Sequence, residues 1–88
     1  MRYADSKNCT YAEYYQPEHI YVFTGPCVKT KKTYSVKVPA QALYEYRQGK
    51  SIQSAFPMLS QGDREFLMSG LSPEGWDLVF GKEEDEED

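Results

Sequence analysis

The 88-residue sequence predicts a small α+β domain, in which a β-hairpin or small sheet is followed by three to four short helices. Two observations predict this class. The first half of the chain contains runs rich in β-branched and aromatic residues, and the second half spaces its apolar residues as helices do, between Ser, Pro and Gly. A chain of this length has room for one domain with a modest core.

Two β-strands are predicted between residues 19 and 38. Residues 19–24 read His-Ile-Tyr-Val-Phe-Thr, which are residue types that fit a pleated sheet. In residues 33–38, Tyr34, Val36 and Val38 alternate with polar residues, which indicates a half-buried strand. The connecting segment 25–32 is rich in turn residues and lysine, so we expect a β-hairpin with an exposed basic loop.

Two short helices are predicted in the middle of the chain. Leu43 is followed three residues later by a tyrosine, and Gly49 is a natural stop, so a helix is expected over residues 40–47. Residues 52–59 also show helical spacing, but Pro57 ends this helix after about one turn, because proline lacks an N–H and clashes with the preceding turn.

Two further helices are predicted from their start and stop signals. Ser60 and Ser72 are suitable N-caps, and Gly70 and Gly81 are the corresponding stops. The helices are expected to share a small core formed by Phe56, Leu59, Phe66, Leu67, Trp76 and Phe80.

The two ends of the chain are predicted to lie outside the packed domain, which spans residues 19–81. Residues 1–18 are Tyr-rich without a clean period, so we expect a loosely structured arm that could extend the hairpin to a small sheet. Residues 82–88 contain one lysine and six acids, and we expect a disordered acidic tail. The net charge of −4 comes from this tail, because residues 1–81 hold nine basic and eight acidic residues.

The cysteine content and the apolar runs predict a cytoplasmic location. Two cysteines do not make a disulfide framework. No charged-then-apolar leader opens the sequence, and no apolar run approaches the roughly 20 residues that span a bilayer. We therefore expect reduced thiols and no membrane partner.

No catalytic, metal or cofactor site is predicted. His19 is the only histidine and has no nucleophile or orienting group near it in sequence. Asp63 and Glu65 point to different faces of a helix and are explained as acids near its N-terminus. Cys9, His19 and Cys27 lack the close ligand pairs of a structural zinc site. No glycine-rich phosphate loop is present.

A nucleic-acid site is one candidate for binding. Lysines in the hairpin loop stand beside aromatic residues of the strands, and this combination can follow phosphates and stack bases. The candidate residues are Lys29, Lys31, Lys32, Tyr21, Phe23 and Tyr34.

The acidic tail is a second candidate for binding. Its dense negative charge can mimic nucleic-acid phosphate towards a basic partner, shield the lysine loop, or only keep the protein soluble. The candidate residues are Glu83, Glu84, Asp85, Glu86, Glu87 and Asp88.

A pattern in the second half of the chain resembles a known group. It reads Ile-Gln-x-Ala-Phe-Pro-x-Leu-Ser from Ile52, Arg-Glu-Phe-Leu-x-Ser-Gly from Arg64 and Pro-x-x-Trp-Asp-x-x-Phe from Pro73. This pattern resembles a group of short, uncharacterised bacteriophage proteins, some of which carry a zinc-ribbon-like hairpin with Cys-x2-Cys pairs. Here only Cys27 stands at a knuckle-like position, so the resemblance implies a version without metal.

Together these features predict a small non-enzymatic interaction protein, encoded by a phage or a phage-derived element. We expect it to bind and block a host protein, such as a defence factor or a nucleic-acid-handling factor. The alternative is a small nucleic-acid-binding protein that uses the lysine-rich hairpin loop.

Overall fold

The computed structural model describes residues 1–81 and contains a three-stranded antiparallel sheet followed by four helices. The strands lie in the order β1-β2-β3 and are β1 (Thr10–Tyr14), β2 (Ile20–Pro26) and β3 (Thr33–Pro39). The helices are α1 (Ala40–Arg47), α2 (Ile52–Ala55), α3 (Gln61–Ser69) and α4 (Pro73–Phe80). The predicted α+β class is confirmed.

One face of the sheet forms the floor of the core. Phe23 pairs with Val36 across β2 and β3, and both side chains are buried together with Val38. The segment after β3 contributes further core residues, with Phe56 and Phe66 fully buried. The predicted alternation in β3 is confirmed, because its polar residues are exposed on the opposite face.

The interpretation of residues 1–18 as a loosely structured arm outside the domain is wrong, whereas the expectation that they could extend the hairpin to a small sheet is confirmed. β1 pairs with β2 along its whole length. Further upstream, the Tyr3 N–H donates to the Met68 carbonyl at 3.2 Å, and the Tyr3 ring packs edge-on against Phe66. Gly70 has a φ of +84° and lies against the Tyr3 ring, where an added Cβ would be 2.7 Å away. The N-terminal segment is therefore part of the same core.

The predicted helix ends are confirmed. The side chains of Ser60 and Ser72 accept hydrogen bonds from backbone N–H groups three residues later, both at 3.1 Å. Gly70 ends α3 in the left-handed conformation, and Gly81 follows the last residue of α4. The short helix before Pro57 is also present. These ends depend on local chemistry, which explains why the sequence predicts them well.

The prediction that Trp76 and Phe80 lie in the core is wrong. Trp76 is 38% exposed and Phe80 is 56% exposed, whereas the other four predicted core residues of the helical half are buried. The helix approaches the domain through Gly75 instead, where an added Cβ would lie only 2.5 Å from the Cys27 Sγ. Contact through this small residue leaves the aromatic side chains of α4 on the outside.

Candidate functional site

Helix α4 exposes four large apolar side chains, which we call the α4 surface. They are 38 to 59% exposed and comprise Trp76, Leu78, Val79 and Phe80. With 3.6 residues per turn, the first, third and fourth of these lie within an arc of about 100°, and Leu78 lies on the opposite side. The rings of Trp76 and Phe80 contact each other with centroids 4.3 Å apart. The helix is therefore apolar around most of its circumference.

Such a helix is normally covered by other protein. A helix that is apolar all round belongs in a core, and one with a single apolar face packs that face against its domain. Burial of one large apolar side chain contributes about 1.5–3 kcal/mol. Trp76, Val79 and Phe80 are contiguous apolar side chains on the surface of a small protein, and such a patch is a candidate docking site.

A groove runs beside the α4 surface, between α3 and α4. Its volume is about 270 Å³, and Trp76 forms part of its wall. The other lining residues are Gln61, Gly62, Glu65, Pro73 and Asp77. Among the described residues, the lining thus includes two acids and no Lys, Arg or His, which gives the groove a negative character.

The lysine loop is exposed as predicted, but its charges are partly engaged. The Lys31 Nζ donates to the Val28 carbonyl at 3.1 Å. The Lys32 Nζ lies 3.4 Å from a carboxylate oxygen of Glu74 at the start of α4, and both side chains remain largely exposed. An ion pair this exposed contributes at most about 1 kcal/mol. Lys29 is also exposed, so the three predicted lysines do lie in one loop.

The predicted aromatic residues do not complete a nucleic-acid site around this loop. Phe23 is buried in the core and is not available to a ligand. Tyr34 is half-buried against Phe66, and its hydroxyl donates to Asp63. Burial and this hydrogen bond raise the pKa of Tyr34 to about 12. These two rings therefore serve packing.

The third predicted ring belongs to a different cluster. The Tyr21 hydroxyl donates to a carboxylate oxygen of Glu13 at 3.1 Å, and His19 lies 2.6 Å from the same oxygen. The His19 ring stacks on Tyr15 with centroids 4.7 Å apart. Hydrogen bonds from His19 and the two tyrosines lower the pKa of the Glu13 carboxyl. Sequence reasoning did not find this cluster because it left β1 within a loosely structured arm, although three of the five residues of Thr10–Tyr14 are Thr or Tyr, which favour strands.

The acidic residues predicted as a binding site lie outside the described residues. In the sequence they follow α4 after two intervening residues, and they are Glu83, Glu84, Asp85, Glu86, Glu87 and Asp88. Their position relative to α4 is therefore known only along the sequence.

Cys27 is a buried thiol between the lysine loop and α4. Its sulfur accepts hydrogen bonds from the backbone N–H groups of Thr30 and Ser72, both at 3.4 Å. Burial by itself would raise the pKa of this thiol, but hydrogen bonds from Ser72 and Thr30 lower the pKa to about 6. The residue is fully buried and therefore has a structural role. Its two hydrogen bonds connect the lysine loop to the N-cap of α4.

The described residues assemble no metal site. Across residues 1–81, no three His, Cys, Asp or Glu side chains converge in a way that could hold an ion. Cys9 and Cys27 are both free thiols. Nor does any helix in this range have the length and apolar character needed to cross a membrane.

Comparison with known proteins identifies no relative. The chain has no significant match among models of protein families, curated protein sequences or solved structures. The resemblance to bacteriophage proteins therefore stays a prediction, and the functional argument rests on the α4 surface and its surroundings.

Proposed function

We propose that this protein is a non-enzymatic interaction protein that binds a partner protein through the α4 surface and blocks it. The observation that carries the proposal is the exposure of four large apolar side chains on one short helix. An apolar helix that fills a groove on a partner is a common mode of protein recognition.

A partner in the host cell is what the resemblance implies. A bacteriophage protein of this kind would act in the bacterial cytoplasm, where it would occupy a surface that the host protein needs for its own ligand. Blocking of this type requires no chemistry from the binder, only contact area and a slow dissociation rate.

Nucleic-acid binding through the lysine loop is the second candidate. Three exposed ammonium groups in one loop favour it. The position of Phe23 in the core and the ion pair of Lys32 with Glu74 weaken it, because they remove a stacking partner and part of the charge. We therefore place the α4 surface first.

The proposal is tested by comparing variants as baits in a bacterial lysate. Val79→Ala combined with Phe80→Ala removes much of the α4 surface, and Tyr44→Ala removes an aromatic residue of α1 that is 60% exposed. We expect a protein that is captured by the native chain and by Tyr44→Ala, but lost from the α4 variant, while circular dichroism shows the same fold for all three.

Two results would contradict the proposal. The first is a partner that is captured equally by the native chain and by the α4 variant. The second is retention on heparin at physiological salt that disappears when the loop lysines are replaced, because this result would favour the nucleic-acid candidate.

A further inference from the structure

The groove beside Trp76 combines an aromatic wall with negative charge. Glu65 on α3 and Asp77 on α4 both contribute to its lining. Within residues 1–81, no ion pair engages the carboxylate of Glu65, which is only partly exposed. An acidic side chain beside an exposed indole is an arrangement that favours a cation, because the face of the ring also attracts positive charge.

Two cations among residues 1–81, one on α3 and one in the lysine loop, make other contacts. Arg64 precedes Glu65, but its guanidinium donates to the carbonyl groups of Phe56 and Leu59 at 3.0 and 2.7 Å. These bonds tie Arg64 to the segment before α3. Lys32, on the other side of α4, lies against Glu74. The carboxylate of Glu65 is thus left for a ligand to neutralise.

We propose that the groove between α3 and α4 receives a Lys or Arg side chain of the partner, whose neighbouring apolar residues pack on the α4 surface. This inference rests on the proposed function and names the chemistry of the partner. An apolar segment with flanking basic residues would satisfy both parts of the site. Its apolar side chains would cover Phe80 and Val79, and its cation would lie between the indole ring of Trp76 and Glu65.

The charge of the sequence that follows α4 favours this partner over two others. Residues 83–88 are six consecutive acids. A bilayer with anionic lipids would repel them, although an apolar helix by itself can lie on a membrane. A second copy of the chain would bring two such runs together, and like charges across an interface are unfavourable. A basic partner gains from them instead, chiefly in its association rate.

A synthetic peptide tests the inference without knowledge of the natural partner. The probe is a 14-residue amphipathic helical peptide of Leu and Lys, and its matched control has Gln in place of Lys. Trp76 is the single tryptophan of the chain, so its fluorescence reports directly on the site. We expect the Leu/Lys peptide to shift the emission of Trp76 to shorter wavelength, and the Leu/Gln peptide to bind at least about tenfold more weakly.

Two protein variants separate the groove from charge in general. Glu65→Gln removes the groove carboxylate, and Glu18→Gln removes an exposed carboxylate from the segment between β1 and β2. We expect Glu65→Gln to weaken the Leu/Lys peptide by about two- to fivefold, which is the range of a partly exposed ion pair. Glu18→Gln should leave its affinity unchanged, and added salt should reduce the difference between the two variants.

The outcomes distinguish failure of this inference from failure of the proposed function. If both peptides bind equally and Glu65→Gln has no effect, the α4 surface binds apolar segments without selectivity for charge. Only the inference is then overturned. If neither peptide changes the emission of Trp76, the inference is overturned, and the proposed function is then decided by the capture of a partner from lysate. A larger shift with phosphatidylcholine–phosphatidylglycerol vesicles, or a shift with protein concentration alone, overturns the inference in favour of a membrane or a second copy.

Discussion

The buried thiol of Cys27 predicts that the stability of the domain depends on pH. The pKa of this thiol is about 6 in the folded protein and near 9 for an ordinary thiol. Between these two values the folded state holds a thiolate, whereas the unfolded state holds a protonated thiol. The unfolded state therefore binds one more proton, and the free energy of unfolding rises with pH. This contribution is complete above pH 9 and is lost as the pH falls through 6.

The size of the effect follows from linkage. One proton of difference corresponds to about 1.4 kcal/mol per pH unit. Over the interval from about 6 to 9 the upper limit is on the order of 4 kcal/mol, which is a large fraction of the stability of a small domain. Cys27→Ser removes the titrating group, so the difference in unfolding free energy between the native chain and this variant should grow with the same slope.

Urea denaturation in reducing buffer at pH 6, 7 and 8 measures this slope. Cys9→Ser is the matched control, because the pKa of the Cys9 thiol is raised, chiefly by burial, whereas hydrogen bonds lower the pKa of Cys27. A raised folded pKa contributes stability below the unfolded value that is lost above it, so Cys9 should leave the slope between pH 6 and 8 intact. Equal slopes for the native chain and Cys27→Ser would refute the assignment of a thiolate to Cys27.

Three further predictions concern the core, metal and the lysine loop. Phe66→Ala should lower the free energy of unfolding by about 3–5 kcal/mol, because this side chain is fully buried. Trp76→Ala should lower it by only about 1–2 kcal/mol. Equal losses in urea denaturation would contradict the exposure of Trp76. EDTA should leave the melting temperature unchanged, because only a protein whose folding depends on a bound zinc ion would lose that ion's binding energy when it is removed. A large decrease, or stoichiometric zinc in elemental analysis, would show that metal is needed. Deletion of residues 82–88 should leave the fold intact. If this segment shields the lysine loop, its deletion should also expose DNA binding, and the salt dependence of the binding constant should have a slope of about 0.9 per phosphate contacted. This binding should disappear when Lys29→Ala, Lys31→Ala and Lys32→Ala are combined.

The local features of this fold could be predicted from the sequence, since each is specified by a few neighbouring residues. Ser60 and Ser72 cap helices with their own hydroxyl groups, and Gly70 permits the left-handed turn that ends α3. The alternation in β3 likewise shows which face is buried. None of these features requires knowledge of a distant part of the chain.

The features that could not be predicted depend on contacts between distant segments. The N-terminal segment is held by backbone hydrogen bonds from Tyr3 and Ala4 to the end of α3, and no periodic pattern in residues 1–18 indicates them. The spacing of Trp76 and Phe80 indicates a shared face, but not whether another element covers that face. The candidate site was missed for this reason, because its two aromatic side chains, Trp76 and Phe80, were assigned to the core.

The most direct test of the account observes Trp76 while the captured partner is bound. Labelling with 5-fluorotryptophan gives a single ¹⁹F resonance, because the chain contains one tryptophan. For the free protein we expect this resonance to depend on whether the solvent is H₂O or D₂O, as the side chain is 38% exposed. When the partner is added, the account predicts a change in chemical shift and loss of the solvent isotope effect. A partner that binds while the resonance and its isotope effect stay unchanged would contradict the assignment of the α4 surface as the binding site.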